Sequence, residues 1–152
     1  MIQKTLNEYL SQNVLILSCS SKKKNVPQER AIDLYEGQAH RMVRSFLDQY
    51  PETNLSVFIL SAKYGLIDAL EKNEDLWEPY DLIMDPVLSS NWHYILEETL
   101  EPDYFNEKNS FFYGGELYRM AFPFKIPHSH GLIGKQLHQL KEWLKKVNGE
   151  KR

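Results

Sequence analysis

The sequence predicts an α/β fold, a three-layer sandwich around a mostly parallel central sheet, on two observations. Short, continuous apolar runs alternate with segments whose apolar residues recur at helical spacing. Each apolar run also ends abruptly in small or polar residues, as strands do when they exit a sheet into a loop. Strands alternating with helices imply βαβ units with right-handed crossovers.

The elements follow in order. Residues 2–10 read as a short helix with Ile2, Leu6, Tyr9 and Leu10 on one side, a helical extension over 1–12. Val14-Leu15-Ile16-Leu17 reads as a strand buried on both faces. From Asp33 to Tyr50, the residues Tyr35, Ala39, Val43, Phe46 and Tyr50 keep helical spacing, and Pro51 closes the helix. LSVFIL (55–60) is the second strand, and SAKYGLI turns the chain, with Gly65 available for a positive φ. Residues 68–82 read as a long acidic loop. Asp85 then serves as N-cap and Pro86 as first helical residue of a helix with Trp92, Ile95, Leu96 and Leu100 inward. SFFY (110–113) is the third strand, followed by Gly114-Gly115 and a short helix through Met120. The last helix carries Ile133, Leu137, Leu140, Leu144 and Val147 at intervals of 4, 3, 4 and 3.

At 152 residues the chain is expected to form one domain, 1–152, with a core that needs no staples. Hydrophobic residues at 42% and charged residues at 26% fit a globular protein and not a disordered one. No apolar run approaches the roughly 18 residues of a membrane span, so no membrane partner is expected. The start, MIQKTLNEYL, has no apolar signal core, and Cys19 is the only cysteine, so a reducing cytoplasm is the expected setting.

Net charge is −3, unevenly spread. Residues 66–107 hold twelve acids against Lys72, a local −11 that leaves +8 for the rest of the chain. Lys22, Lys23, Lys24, Arg30, Arg41 and Arg44 come early, and Lys141, Lys145, Lys146, Lys151 and Arg152 late. This arrangement fits either a basic face for an anionic partner or solvated helix surfaces.

In a parallel sheet the carboxyl ends of the strands line one edge, where ligands bind. Three turns are thereby expected in one crevice: Cys19-Ser20-Ser21-Lys22-Lys23, Ser61-Ala62-Lys63-Tyr64-Gly65 and Gly114-Gly115. Ser20, Lys23, Ser61 and Lys63 are hydrogen-bond donors and point charges suited to phosphate or a sugar. The small residues at 61, 62 and 65 give a ligand access to backbone. Asp81 follows Pro79-Tyr80, in a backbone that proline stiffens, and is the candidate general base or oxocarbenium stabiliser; a capping or solvated role is its alternative.

Other motifs carry less. Ser20-x-x-Lys23 has the spacing of serine acyl-enzymes but lacks their partner motifs. His128 and His130 lack a third ligand at metal spacing, and neither metal nor cofactor is expected. Gly131-x-x-Gly134-Lys135 opens a helix, where free N–H groups can meet an anion, but the Walker pattern is absent. Phe111, Phe112, Tyr113, Tyr118 and Phe122 read as core before a base-stacking platform. Cys19 reads as a buried thiol before a nucleophile.

Taken in order, Cys19-Ser20-x-x-Lys23, Ala31-x-x-Leu34-Tyr35-x-Gly37, Ile59-Leu60-Ser61-Ala62-Lys63-Tyr64-Gly65-Leu66 and Pro79-Tyr80-Asp81 resemble a family of uncharacterised bacterial and phage domains. Gly114-Gly115-x-x-Tyr118 and Gly131-x-x-x-Lys135 fit the same pattern, which spans about residues 13–140. The order is more distantly similar to the peroxide-stress protein YaaA family. It is similar again to uracil-DNA-glycosylase-like domains that accompany deazaguanine base-exchange enzymes. The chain is much shorter than YaaA proteins and has Asp81 where they have arginine, so their DNA binding is not carried over.

The resemblance implies a domain that handles a nucleoside, nucleotide or nucleic acid. The expected activity is cleavage or exchange of an N-glycosidic bond. Asp81 and Lys63 would be the catalytic residues. Cys19, Ser20, Lys23, Ser61, Gly65, Gly114, Gly115 and Tyr118 would line the substrate site, and Tyr35, Tyr64 and Tyr80 would wall the base. The alternatives are a non-enzymatic nucleic-acid-binding module in stress response or mobile-element biology, resting on the lysine clusters, and an interaction protein using the acidic 66–107 region.

Overall fold

Val14, Leu15, Ile16 and Leu17 are completely buried, because their strand lies inside the sheet with a neighbour on each side. The computed structural model describes residues 12–20, 30–72 and 81–149. The expected helix at 2–10, the lysines at 22–24, and Pro79 and Tyr80 lie outside them.

Strand β1 (Asn13–Ser18) pairs in parallel with β2 (Leu55–Ser61), and on its other side with β4 (Ser110–Tyr113). Strand β3 (Gly65–Asp68) pairs antiparallel with β2, giving the order β3-β2-β1-β4. The fold is thus mixed α/β with a mostly parallel sheet. The strand β3 corrects the sequence reading, which ended the turn in a loop. A three-residue turn, Ala62 to Tyr64, returns the chain through Gly65 at φ +84°, and GLID is long enough for one antiparallel pairing.

Alternate strand residues feed two apolar clusters. Leu15, Leu17, Val57, Ile59, Phe111 and Tyr113 enter one; Val14, Ile16, Leu60 and Phe112 enter the other. That is the period-2 signature of a sheet buried on both faces.

Five α-helices occur among the described residues. The expected single helix over 33–50 is two: α1 (Ala31–Leu34) and α2 (Gln38–Gln49). Tyr35 leaves the helical region at φ −77°, ψ 138°, and α2 restarts after Gly37. Arg44 stabilises the break by donating to the carbonyls of Ile32 (2.7 Å) and Tyr35 (2.8 Å), which α1 leaves unmatched. Helix α3 (Pro86–Thr99) starts as expected, with the Asp85 side chain accepting from Leu88 N at 2.8 Å. Trp92, Leu96 and Leu100 pack inward, but Ile95 is 44% exposed, since one residue along a helix turns about 100° from Leu96. A 3-10 turn (Pro102–Tyr104) leads towards β4, and α4 (Glu116–Ala121) follows it. In α5 (Ile133–Val147), Leu137, Leu140, Leu144 and Val147 pack against the first cluster. Ile133 stays exposed, in the helix's first turn. The outer edge of β4 is met by 127–129: Phe112 N donates to Pro127 O and Ser129 N to Phe112 O. No helix of the described residues is long and apolar enough to cross a membrane.

Candidate functional site

The parallel register of β1 and β2 sets Ser18 beside Leu60, and Cys19 N donates to Leu60 O at 2.9 Å. The two strands therefore exit side by side. Between their exits lies Asp81, only 8% exposed, with four donors on its carboxylate. One oxygen accepts from the Tyr35 hydroxyl and from Ser61 Oγ (2.7 Å); the other accepts from Lys63 N (3.2 Å) and from Leu82 N (2.7 Å). Ser61 Oγ in turn accepts from Lys63 N (3.1 Å) and Tyr64 N (3.0 Å), which fixes the turn after β2.

Beside this centre, Cys19 Sγ and Tyr118 Oη share a hydrogen bond of 3.4 Å, and Met84 N donates to the same phenol oxygen. Burial, then the Asp81 charge, pushes the Cys19 thiol up to about 11, so at neutral pH it is protonated and not a nucleophile. The same two causes, in the same order, raise Tyr35, which keeps its proton to donate. Burial chiefly, and then the Cys19 hydrogen bond, raises Tyr118.

Of the residues selected from sequence, Cys19, Tyr35, Ser61, Asp81 and Tyr118 meet here through side chains, and Lys63 through its backbone N–H. Tyr64 joins through its N–H to Ser61, and its ring lies 5.2 Å from Lys63 Nζ. Ser20 is half-buried beside Gly37. Gly114 packs on Ser18 and gives its N–H to Ser129, while Gly115 faces open space. The bare face of Gly65 is not open to a ligand: a Cβ there would meet the Trp92 ring at 2.7 Å, and Trp92 Nε1 holds the Ala62 carbonyl at 2.9 Å. Lys23 and Tyr80 lie outside the described residues.

Sequence reasoning did not single out His40. Its ring stacks on Tyr35 at 5.4 Å and fills the space that glycine at 37 leaves free. Neither ring nitrogen has a hydrogen-bond partner among the described residues. Burial, then the Arg44 charge, lowers its pKa to about 4. The signal was present as His40 on the Ala39–Val43 face of a helix, but the periodicity of apolar residues does not register a buried imidazole. Among the described residues no three His, Cys, Asp or Glu side chains group as a metal site.

No curated protein and no solved structure matches the chain. A family profile described as a family of unknown function, DUF6884, matches residues 14–145, from β1 to near the end of α5. The chain belongs to the DUF6884 family.

Proposed function

We propose that this domain takes a nucleoside, a nucleotide or nucleic acid at the strand exits of β1 and β2 and cleaves or exchanges its N-glycosidic bond. The observation that supports this most is the Asp81 carboxylate, buried and fixed by four donors between the two exits. A carboxylate offers about four lone-pair sites, and here they are engaged. With its lone pairs taken up by these donors, the carboxylate is held in place as a fixed negative charge. That charge would counter the oxocarbenium ion that develops as the C1′–N bond breaks and the base leaves with the electron pair. Water or a second base would then bond to C1′, and the proton it releases would pass to the departed base. The motif resemblance to base-handling families points the same way, and a three-layer sandwich and a cytoplasmic setting belong to the same reading.

The alternative of a binding module without chemistry draws on cations that are partly committed elsewhere. Arg30 pairs with Asp33 at 2.7 Å, and Arg44 is spent on the carbonyls of Ile32 and Tyr35. Incubation with a panel of nucleosides, nucleotides and oligonucleotides, read as free base by chromatography, tests the proposal. Base release that disappears in Asp81→Asn supports it. No release from any member overturns it.

A further inference from the structure

On the other flank of α4, one residue on from Tyr118, Arg119 borders a cavity of about 220 Å³. Phe112, Phe122 and Ile126, all buried, make an apolar floor, while Arg119, Lys125 and His128 stand around it. No lining residue is acidic. Neither Arg119 nor Lys125 forms an ion pair among the described residues.

The contact between Arg119 and His128 is unusual for a surface pair. Arg119 Nη1 lies 2.9 Å from His128 Nδ1, and the same Nδ1 lies 2.9 Å from the Ser129 carbonyl. A guanidinium only donates, so Nδ1 must accept from it and then faces the carbonyl as one acceptor against another. A proton on Nδ1 would satisfy the carbonyl but set donor against donor at Arg119 Nη1. An anion at the rim resolves both conflicts. It draws the guanidinium to itself, and Nδ1–H then donates to Ser129 O.

We infer that this cavity is a binding site for a small organic anion, a carboxylate or phosphate on a single apolar ring. The head would lie on Arg119, Lys125 and His128 and the ring on the phenylalanine floor. Size sets the ring count, since cavities for drug-sized ligands run from roughly 300 to 1,000 Å³. The site is separate from the Asp81 centre and does not depend on its function.

Sodium benzoate, phenyl phosphate, benzamide and inorganic phosphate are the probes. Methyl signals of Met120 and Ile126 and the ring nitrogens of His128 are followed by NMR. Benzoate and phenyl phosphate are expected to give saturable shifts and to move the His128 proton onto Nδ1. Benzamide and inorganic phosphate are expected to bind about tenfold more weakly or less. Arg119→Gln, at a half-buried position, and Lys125→Gln, at an exposed one, should each weaken benzoate about fivefold without lowering the melting temperature. Benzamide equal to benzoate would make the cations idle, inorganic phosphate equal to phenyl phosphate would make the floor idle, and either result overturns the inference. So does the absence of saturation by about 10 mM of both benzoate and phenyl phosphate.

Discussion

Ser61 Oγ donates to the Asp81 carboxylate at 2.7 Å while accepting two amides of its own turn, those of Lys63 and Tyr64. One hydroxyl thus ties the exit of β2 to the segment that begins at Asp81. Both residues are buried, so a polar group that loses its partner here bears a desolvation cost. Ser61→Ala would remove a donor to the carboxylate, the Oγ acceptor of Tyr64 N–H and one of the two acceptors that Lys63 N–H shares, for a loss of about 2–3 kcal/mol in chemical denaturation. Tyr35→Phe, which removes one donor to the same oxygen, should cost about 1.5–3 kcal/mol. The double variant should miss additivity by about 0.5 kcal/mol or more, because both hydroxyls serve one carboxylate oxygen. Strict additivity would show that the two hydroxyls act independently.

Lys63 divides into two parts. Its amide belongs to the Asp81 network and its side chain is half-exposed over the Tyr64 ring. Lys63→Ala retains the amide, so stability should change by no more than about 0.5 kcal/mol. If the side chain holds phosphate, stabilisation by nucleoside monophosphates in a thermal shift should vanish in this variant. A variant that melts far below the parent assigns the lysine to the fold instead.

Gly65 is constrained twice, by φ +84° and by Trp92 at 2.7 Å from any added Cβ. Gly65→Ala should cost about 2 kcal/mol or more, well beyond the effect of a surface Gly→Ala change. Gly115, which faces open space, is the control, and Gly115→Ala should be near neutral. Equal melting temperatures for the two variants would refute the close packing of Trp92.

His40 has a folded pKa of about 4 against an ordinary 6.5, so the unfolded chain binds its proton first as pH falls. Its contribution to stability is complete above about pH 6.5 and declines down to about pH 4, by on the order of 3 kcal/mol. Unfolding free energies measured across that range should lose this slope in His40→Gln. A slope that persists in the variant would place the titration on another group.

Cys19, with its thiol pushed up to about 11, should resist a disulfide reagent at pH 7.5. Modification should keep pace with unfolding, and rise sharply once denaturant is added. Rapid labelling of the native protein would contradict the burial and the nearby negative charge.

Much of the fold was legible from residue patterns. VLIL, LSVFIL and SFFY are all strands, because continuous apolar runs between polar ends leave few other solutions. Asp85-Pro86 opens a helix as read, since cap chemistry is local. Two features escaped. Strand β3 is only four residues long and takes its direction from the φ of Gly65, which no periodicity reveals. The break at Tyr35 escaped because Tyr35, Ala39 and Val43 hold helical spacing across it, while the carbonyls freed there are satisfied from nine and twelve residues away by Arg44. The site was legible in part for a related reason. The turns after β1 and β2 converge because parallel pairing requires it. The phenol of Tyr35 reaches Asp81 only because α1 ends where it does.

Trp92 joins the sheet to α3 at a telling point: its ring covers Gly65 and its indole N–H holds Ala62, within the turn that carries Ser61 and Lys63. The molecule thereby contains its own optical label at the exit of β2. Trp143 stacks on Phe111 in the opposite cluster and serves as an internal reference. In a Trp77→Phe chain, which keeps Trp92 and Trp143 of the three tryptophans, a ligand that reshapes the turn should change the emission of Trp92 and leave that of Trp143 alone, so occupancy is readable without attaching a dye.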